Sequence, residues 1–221
     1  MSLQDRLDAF KADFEGRKAP PGVVQVAQRA TAALVASGQA GRALHVGARA
    51  PEFALPDPTG QLIPSAQLMA RGPLVITFYR GVWCPYCNMD LLALEEASAE
   101  IRACGATIVA ISPQSAVSSR KVVRDMHLSF PILTDFGGQV AHAFGLRFRL
   151  PDELIALYKS FGNDLSVTNG EPSWTLPMPA RYIVGTEGVI AYAEINPDYT
   201  QRPDPSELLP VLYSLADSPA A

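Results

Sequence analysis

The sequence predicts an α/β fold: a central mixed β-sheet flanked by helices, preceded by an N-terminal helical extension. Three observations predict it. From Leu74 onward, short apolar runs alternate with helical patterns, as in a sheet covered on both faces. Late in the chain, residues 181–184 and 189–193 flank Gly185-Thr186-Glu187-Gly188, which adds a hairpin and makes the sheet mixed. Between the first apolar run and its helix stands Cys84-Pro85-Tyr86-Cys87.

The length of 221 residues suits one substantial core with extensions. The division predicted is a helical extension over 1–45 and a main domain over 46–221. In the extension, Leu3, Leu7, Phe10 and Phe14 recur at helical spacing. Pro20-Pro21-Gly22 breaks that helix, and a second runs from Val23 towards Gly38. These helices must cover something, either a surface of their own chain or a second copy in a homodimer. Residues 53–56 and 61–63 flank Asp57-Pro58-Thr59-Gly60, a small opening hairpin, and 65–69 form a helical turn.

A buried strand follows over 74–79, and then one long helix from 84 to 104, closed by Gly105. Next come a strand over 107–111, a helix over 117–126 and a short strand over 130–133. A helical turn over 140–144, a helix over 151–161 and a polar loop around Asn169-Gly170 lead to the hairpin. A helix over 206–215 closes the chain.

The composition excludes several function classes. A net charge of −4 with no cluster of Lys and Arg argues against nucleic acid. No run reaches the roughly 18 apolar residues of a membrane span. The first 18 residues are charged and lack the apolar core of a secretory signal. The expected compartment is the cytoplasm, where structural disulfides are rare, which favours a catalytic role for the cysteines.

Cys84 falls at the N-cap of its helix and Pro85 at the first helical position, where a missing N–H costs nothing. Cys87, three residues on, shares its face. The helix N-terminus favours negative charge, hence the reactive thiolate. Asp90 opposes this slightly, Trp83 offers an apolar shield, and Tyr86 reads as a spacer. Cys84, at the helix tip, is expected to be the more exposed sulfur. A zinc site needs four ligands. Cys104 lies about five turns away, roughly 30 Å along a helix, and His45, His127 and His142 show no paired spacing. No metal and no cofactor is expected, and Cys104 reads as a buried, inert thiol.

From about Val46 to Leu212 the chain resembles the thioredoxin superfamily, and within it the peroxiredoxin-like branch that includes the alkyl hydroperoxide reductase/thiol-specific antioxidant proteins. The residues that carry this are the opening segment from Val46 to Pro56, Ile76-Thr77-Phe78-Tyr79-Arg80, the strand at 106–112 and the hairpin at 181–193. The resemblance implies a thioredoxin-like fold and places Cys87 at the peroxide-attacking position. The neighbouring Thr/Ser position is held by Cys84 and the Pro position by Arg80. Pro179 stands where the family has an Arg. Thioredoxins pair a C-x-x-C with a cis-Pro, so the resemblance also implies a cis Met178-Pro179 bond, with Met178 backbone groups available to an extended substrate. Arg80 or Arg181 is expected to replace the missing cation, or else to be a solvated surface charge.

The function implied is a thiol peroxidase acting on hydroperoxides, with Cys87 peroxidatic, Cys84 resolving through a disulfide bond, and a thioredoxin- or glutathione-type reductant. The alternatives are dithiol–disulfide exchange on a protein disulfide, with Cys84 as nucleophile, and a redox-inactive scaffold.

Overall fold

Five consecutive buried residues, Leu74–Phe78, fit only the middle of a sheet covered on both faces, and the chain builds that cover from both of its ends. The computed structural model describes residues 1–217. It runs α1 (Leu3–Asp13), a π-turn (Phe14–Lys18), α2 (Val23–Ala36), β1 (Ala54–Pro56), β2 (Leu62–Pro64), α3 (Ser65–Met69) and β3 (Leu74–Phe78). It continues with α4 (Pro85–Glu96), α5 (Ser98–Ala103), β4 (Thr107–Ser112), α6 (Ala116–Asp125), β5 (Ile132–Thr134), α7 (Gln139–Ala143) and β6 (Arg147–Arg149). It closes with α8 (Asp152–Ser160), α9 (Leu165–Thr168), β7 (Thr175–Pro177), β8 (Ala180–Val184), β9 (Ile190–Ile195) and α10 (Leu208–Asp217).

The central sheet has the order β5-β4-β3-β8-β9. β3, β4 and β5 are parallel, while β8 and β9 are antiparallel to their neighbours, so the sheet is mixed. The register of β3 with β8 opposes Phe78 to Ala180, which sets Pro179 beside the end of β3 where the cysteine loop begins. One face buries Leu91, Leu94 and Ile101 against Leu208 and Leu212. The other buries Phe53, Phe78, Phe144 and Tyr182.

The N-terminal helices lie on this chain's own main domain. Ser2 and Asp5 form a capping box on α1. Leu3 and Leu7 then enter the same apolar cluster as Tyr86 and Leu94. The Leu3 N–H donates to the Asp204 carboxylate (3.1 Å), and the Gln4 carboxamide oxygen accepts from the Arg202 N–H (3.0 Å). α2 is tied to α8 by Arg29 and Glu153 (2.7 Å). No helix among the described residues is long and apolar enough to cross a membrane.

Three expectations are corrected. The helix expected over 84–104 divides at Ala97 (φ −88°, ψ −4°), where Ser98 turns its hydroxyl towards Glu95 and Ser129. The polar loop contains α9, capped by the Asp164 carboxylate, and is followed by β7, which pairs with the equally short β6. The Met178–Pro179 bond is trans, as is every peptide bond among the described residues. Here only Met178 and Pro179 separate β7 from β8. The Met178 N–H donates to Leu146 O (2.9 Å) and Pro179 O accepts from the Asn196 N–H (3.1 Å). Trans is also the lower-energy isomer by about 0.5–1 kcal/mol.

Leu7→Ala is expected to destabilise the protein by about 2–5 kcal/mol in urea denaturation. A loss under about 0.5 kcal/mol would show that α1 is not part of the core.

Candidate active site

β3 delivers the chain into a loop that only glycine can start. Gly81 has φ +145°, and a Cβ there would sit 2.5 Å from the Trp83 indole nitrogen. The loop is locked by the Gln114 carboxamide oxygen, which accepts from the Val82 N–H (2.8 Å), and by Asn88, which donates to Val82 O (2.8 Å). Cys84 then caps α4 with Pro85 at the first position, and its carbonyl accepts from the Asn88 N–H (3.1 Å). The capping position read from the sequence is the one the structure has.

Cys84 is the more exposed of the two sulfurs, as expected, although both are buried. Cys84 is 2% exposed and Cys87 0%, and both are free thiols. The tip of α4 is roofed by segments far away in sequence: α1 and the π-turn, α2, α8 and Tyr199. They form a half-open cleft of about 450 Å³ that Cys84 lines and Cys87 does not. Tyr86 is no spacer. It stacks edge-to-face on Phe10 (5.3 Å) and on Tyr199 (5.5 Å), fastening the roof to the helix. Trp83 packs likewise on Tyr158 (5.2 Å).

Arg80 and Arg181 are buried, not solvated. The Arg80 guanidinium donates to the Tyr158 hydroxyl. It stands 4.2 Å from the Tyr199 ring centre and 5.0 Å from that of Trp83, so aromatic faces replace water around it. Arg181 is turned away from the sulfurs, towards Asp90 (2.5 Å) and Pro203 O (3.2 Å). The cation that touches a sulfur is one the sequence reading missed. Arg202 contacts Cys87 Sγ (3.6 Å) and lies 3.5 Å from the other Asp90 oxygen. It belongs to an irregular segment after β9, where no periodicity or motif marks it. Asp90 is therefore engaged by two arginines, which offsets its effect on the thiols. Tyr158 and Tyr199 were also missed, because nothing local distinguishes them from other aromatic residues.

Met178 is fully buried in the cluster on the far face of the sheet, and its N–H is used by Leu146. It therefore offers no donor to an extended substrate. Pro179 lines a second cavity of about 460 Å³, together with Arg80, Arg147 and Tyr199. Among the described residues, no group of three or more His, Cys, Asp or Glu is placed to hold a metal. Cys104 is half-buried, and its thiol donates to Glu100 O (3.4 Å).

The two thiols titrate as a pair. Burial pushes the Cys84 thiol up, but the Cys87 hydrogen bond and the charges of Arg80 and Arg202 outweigh it and bring Cys84 down to about 6. Burial, followed by the Cys84 hydrogen bond and charge, pushes Cys87 well above the ordinary thiol range. The two thiols are thus pushed in opposite directions, the cavity-lining Cys84 down and the deeper Cys87 up.

A family model described as the AhpC/TSA family matches residues 46–193. A chloroplastic peroxiredoxin Q of Oryza sativa subsp. japonica is 27% identical over 169 residues, covering 76% of this chain and 67% of that one. A thiol-disulfide oxidoreductase ResA of Bacillus cereus is 24% identical over 104 residues, covering 47% of this chain and 59% of that one. The crystal structure of peroxidoxin BcpB from Mycobacterium tuberculosis superposes with a TM-score of 0.61 at 20% identity, covering 77% of this chain and 97% of that one. The last likeness concerns the fold: the mixed sheet flanked by helices is thioredoxin-like.

Alkylation of the reduced protein by iodoacetamide should follow a midpoint near pH 6, with the label on Cys84 by peptide mapping. Arg80→Met should raise that midpoint by about 1 unit or more. An unmoved midpoint would remove Arg80 as a source of the stabilisation.

Proposed function

The chain belongs to the AhpC/TSA family, and from that premise we propose that it is a thiol peroxidase whose redox centre is Cys84–Cys87. The observation that carries this reading is the placement of Cys84, with Arg80 beside it, at the wall of a cleft sized for a small molecule. A hydroperoxide enters such a space. A folded protein disulfide does not reach a sulfur that is 2% exposed.

Resemblance assigns the first attack to Cys87. Cys84 is the sulfur that lines the cavity, and we take that placement as the guide. The Cys84 thiolate attacks the terminal peroxide oxygen, the O–O bond breaks, and the alkoxide leaves and takes a proton. Arg80 and the Tyr158 hydroxyl stand in the cavity wall to receive the developing charge. The Cys84 sulfenic acid then condenses with the Cys87 thiol, forming the disulfide and releasing water. In sum, a hydroperoxide and two thiols give an alcohol, water and a disulfide. A thiol reductant restores the pair.

Dithiol–disulfide exchange is the second reading, supported by the ResA relative and by the same charged Cys84. It requires the roof over Cys84 to open for a protein partner.

With peroxide and a thiol reductant, Cys84→Ser should abolish turnover. Cys87→Ser should still form a single sulfenic acid, trapped on Cys84 by dimedone. Sulfenic acid on Cys87 in the Cys84→Ser variant would reverse the order. Loss of peroxide consumption in neither variant would remove the pair from the reaction.

A further inference from the structure

We propose that the reductant of the Cys84–Cys87 disulfide is a low-molecular-weight thiol that enters the cavity at Cys84, and not a thioredoxin-sized protein. The inference rests on the peroxidase reading and names its second substrate.

Access is the first argument. Of the two sulfurs only Cys84 lines the cavity, so an incoming thiol must attack there. Exchange is an in-line displacement, and the attacking sulfur must approach along the axis of the bond that breaks. A folded partner would have to bring its own sulfur, still attached to its backbone, through the roof. Protein partners dock over about 800 Å² of surface per side. A cavity of about 450 Å³ is the scale of a small ligand.

The second argument is that the roof is fastened rather than loose. Leu3 and Leu7 are core residues, and Leu3 and Gln4 are hydrogen-bonded to the segment at 202–204. Phe10 is stacked on Tyr86, and α2 is held to α8 through Arg29 and Glu153. Opening a protein-sized approach breaks several of these contacts at once, whereas the half-open cleft already has room for a small thiol beside Cys84. The lining also carries polar handles among its apolar walls, including Lys18, Glu15 and Asn163, which suit a small zwitterionic thiol.

The chemistry balances. The incoming thiolate bonds to Cys84 Sγ, the Cys84–Cys87 bond breaks, and Cys87 leaves with the electron pair. Arg202, 3.6 Å from Cys87 Sγ, stabilises that leaving thiolate until it takes a proton. A second small thiol attacks the mixed disulfide at the sulfur of the first and releases the Cys84 thiolate. Two small thiols become one small disulfide, and the protein gains two electrons and two protons.

The test begins with the full-length protein oxidised by diamide. Its reduction is followed by free-thiol release, using glutathione, cysteine and a thioredoxin. Each rate is divided by the rate of the same reductant on the exposed disulfides of insulin. The normalised thioredoxin rate should lie about tenfold or more below the normalised small-thiol rates. Val24→Trp and Ala27→Trp fill the cavity and should slow glutathione about tenfold, with unfolding midpoints reported for each variant. A normalised thioredoxin rate equal to or above that of glutathione would overturn the proposal. So would an unchanged glutathione rate in a folded, cavity-filled variant. The comparison of reductants uses the wild-type protein alone, so it decides the matter even if neither variant folds. Diamide makes the disulfide without peroxide. A protein that ignores hydroperoxides but passes these comparisons would lose the peroxidase reading and keep this one.

Discussion

A buried carboxylate organises this molecule. Asp90, on the second turn of α4, is held by Arg181 from β8 and by Arg202 from the segment that follows β9. Three elements distant in sequence are thereby fixed to one another inside the core. Charges in such a place are tolerated only when each is paired, and deleting one partner of such a set costs about 3–5 kcal/mol. The pairing sets the position of the Arg202 guanidinium, and that position puts it against Cys87. The electrostatics of the redox pair follow from a structural ion pair that never touches substrate.

The same region shows why the two cysteines differ although they share a helical turn. Cys84 has Arg80 close by, itself held among aromatic rings, and lies at the cavity wall. Cys87 lies deeper, where burial and the neighbouring thiolate keep its proton in place. The first proton leaves easily because it is shared across the pair and answered by two cations. The second does not, because it would place a second negative charge beside the first. Identical side chains are thus shifted in opposite directions by their surroundings.

Much of the fold was legible because its signals are local. The apolar run at 74–78, the proline after Cys84 and the glycine turn at 185–188 each specify their element within a few residues. The site was legible only in part. Cys84 and Cys87 were found because a motif marks them, and Arg80 because it stands next to the motif. The burial of Arg80 and Arg181 was not legible, since arginine is a surface residue by default and its rings and carboxylate come from elsewhere in the chain. The roof over Cys84 was hidden for the same reason: it is built from residues of the first 30, from α8 and from Tyr199. The trans bond at Pro179 departs from the resemblance; its neighbours are fixed by the bonds of Met178 N–H to Leu146 O and of Asn196 N–H to Pro179 O, next to the β6–β7 pair, whose three-residue strands are too short to carry a pattern.

The bonds between residues 3–4 and 202–204 join positions about 200 apart in the chain. A ribosome adding about 5–20 residues per second needs on the order of ten seconds or more to supply that separation. Once Cys87 has been made, about 115 residues still separate it from Arg202, roughly 6–23 seconds at that rate, during which neither Arg202 nor the strap that anchors α1 exists. The nascent thiols therefore have Arg80 beside them but lack Arg202, α8 and Tyr199 until those residues have been added. The surroundings of the pair are assembled only once the segment at 199–204 has been made.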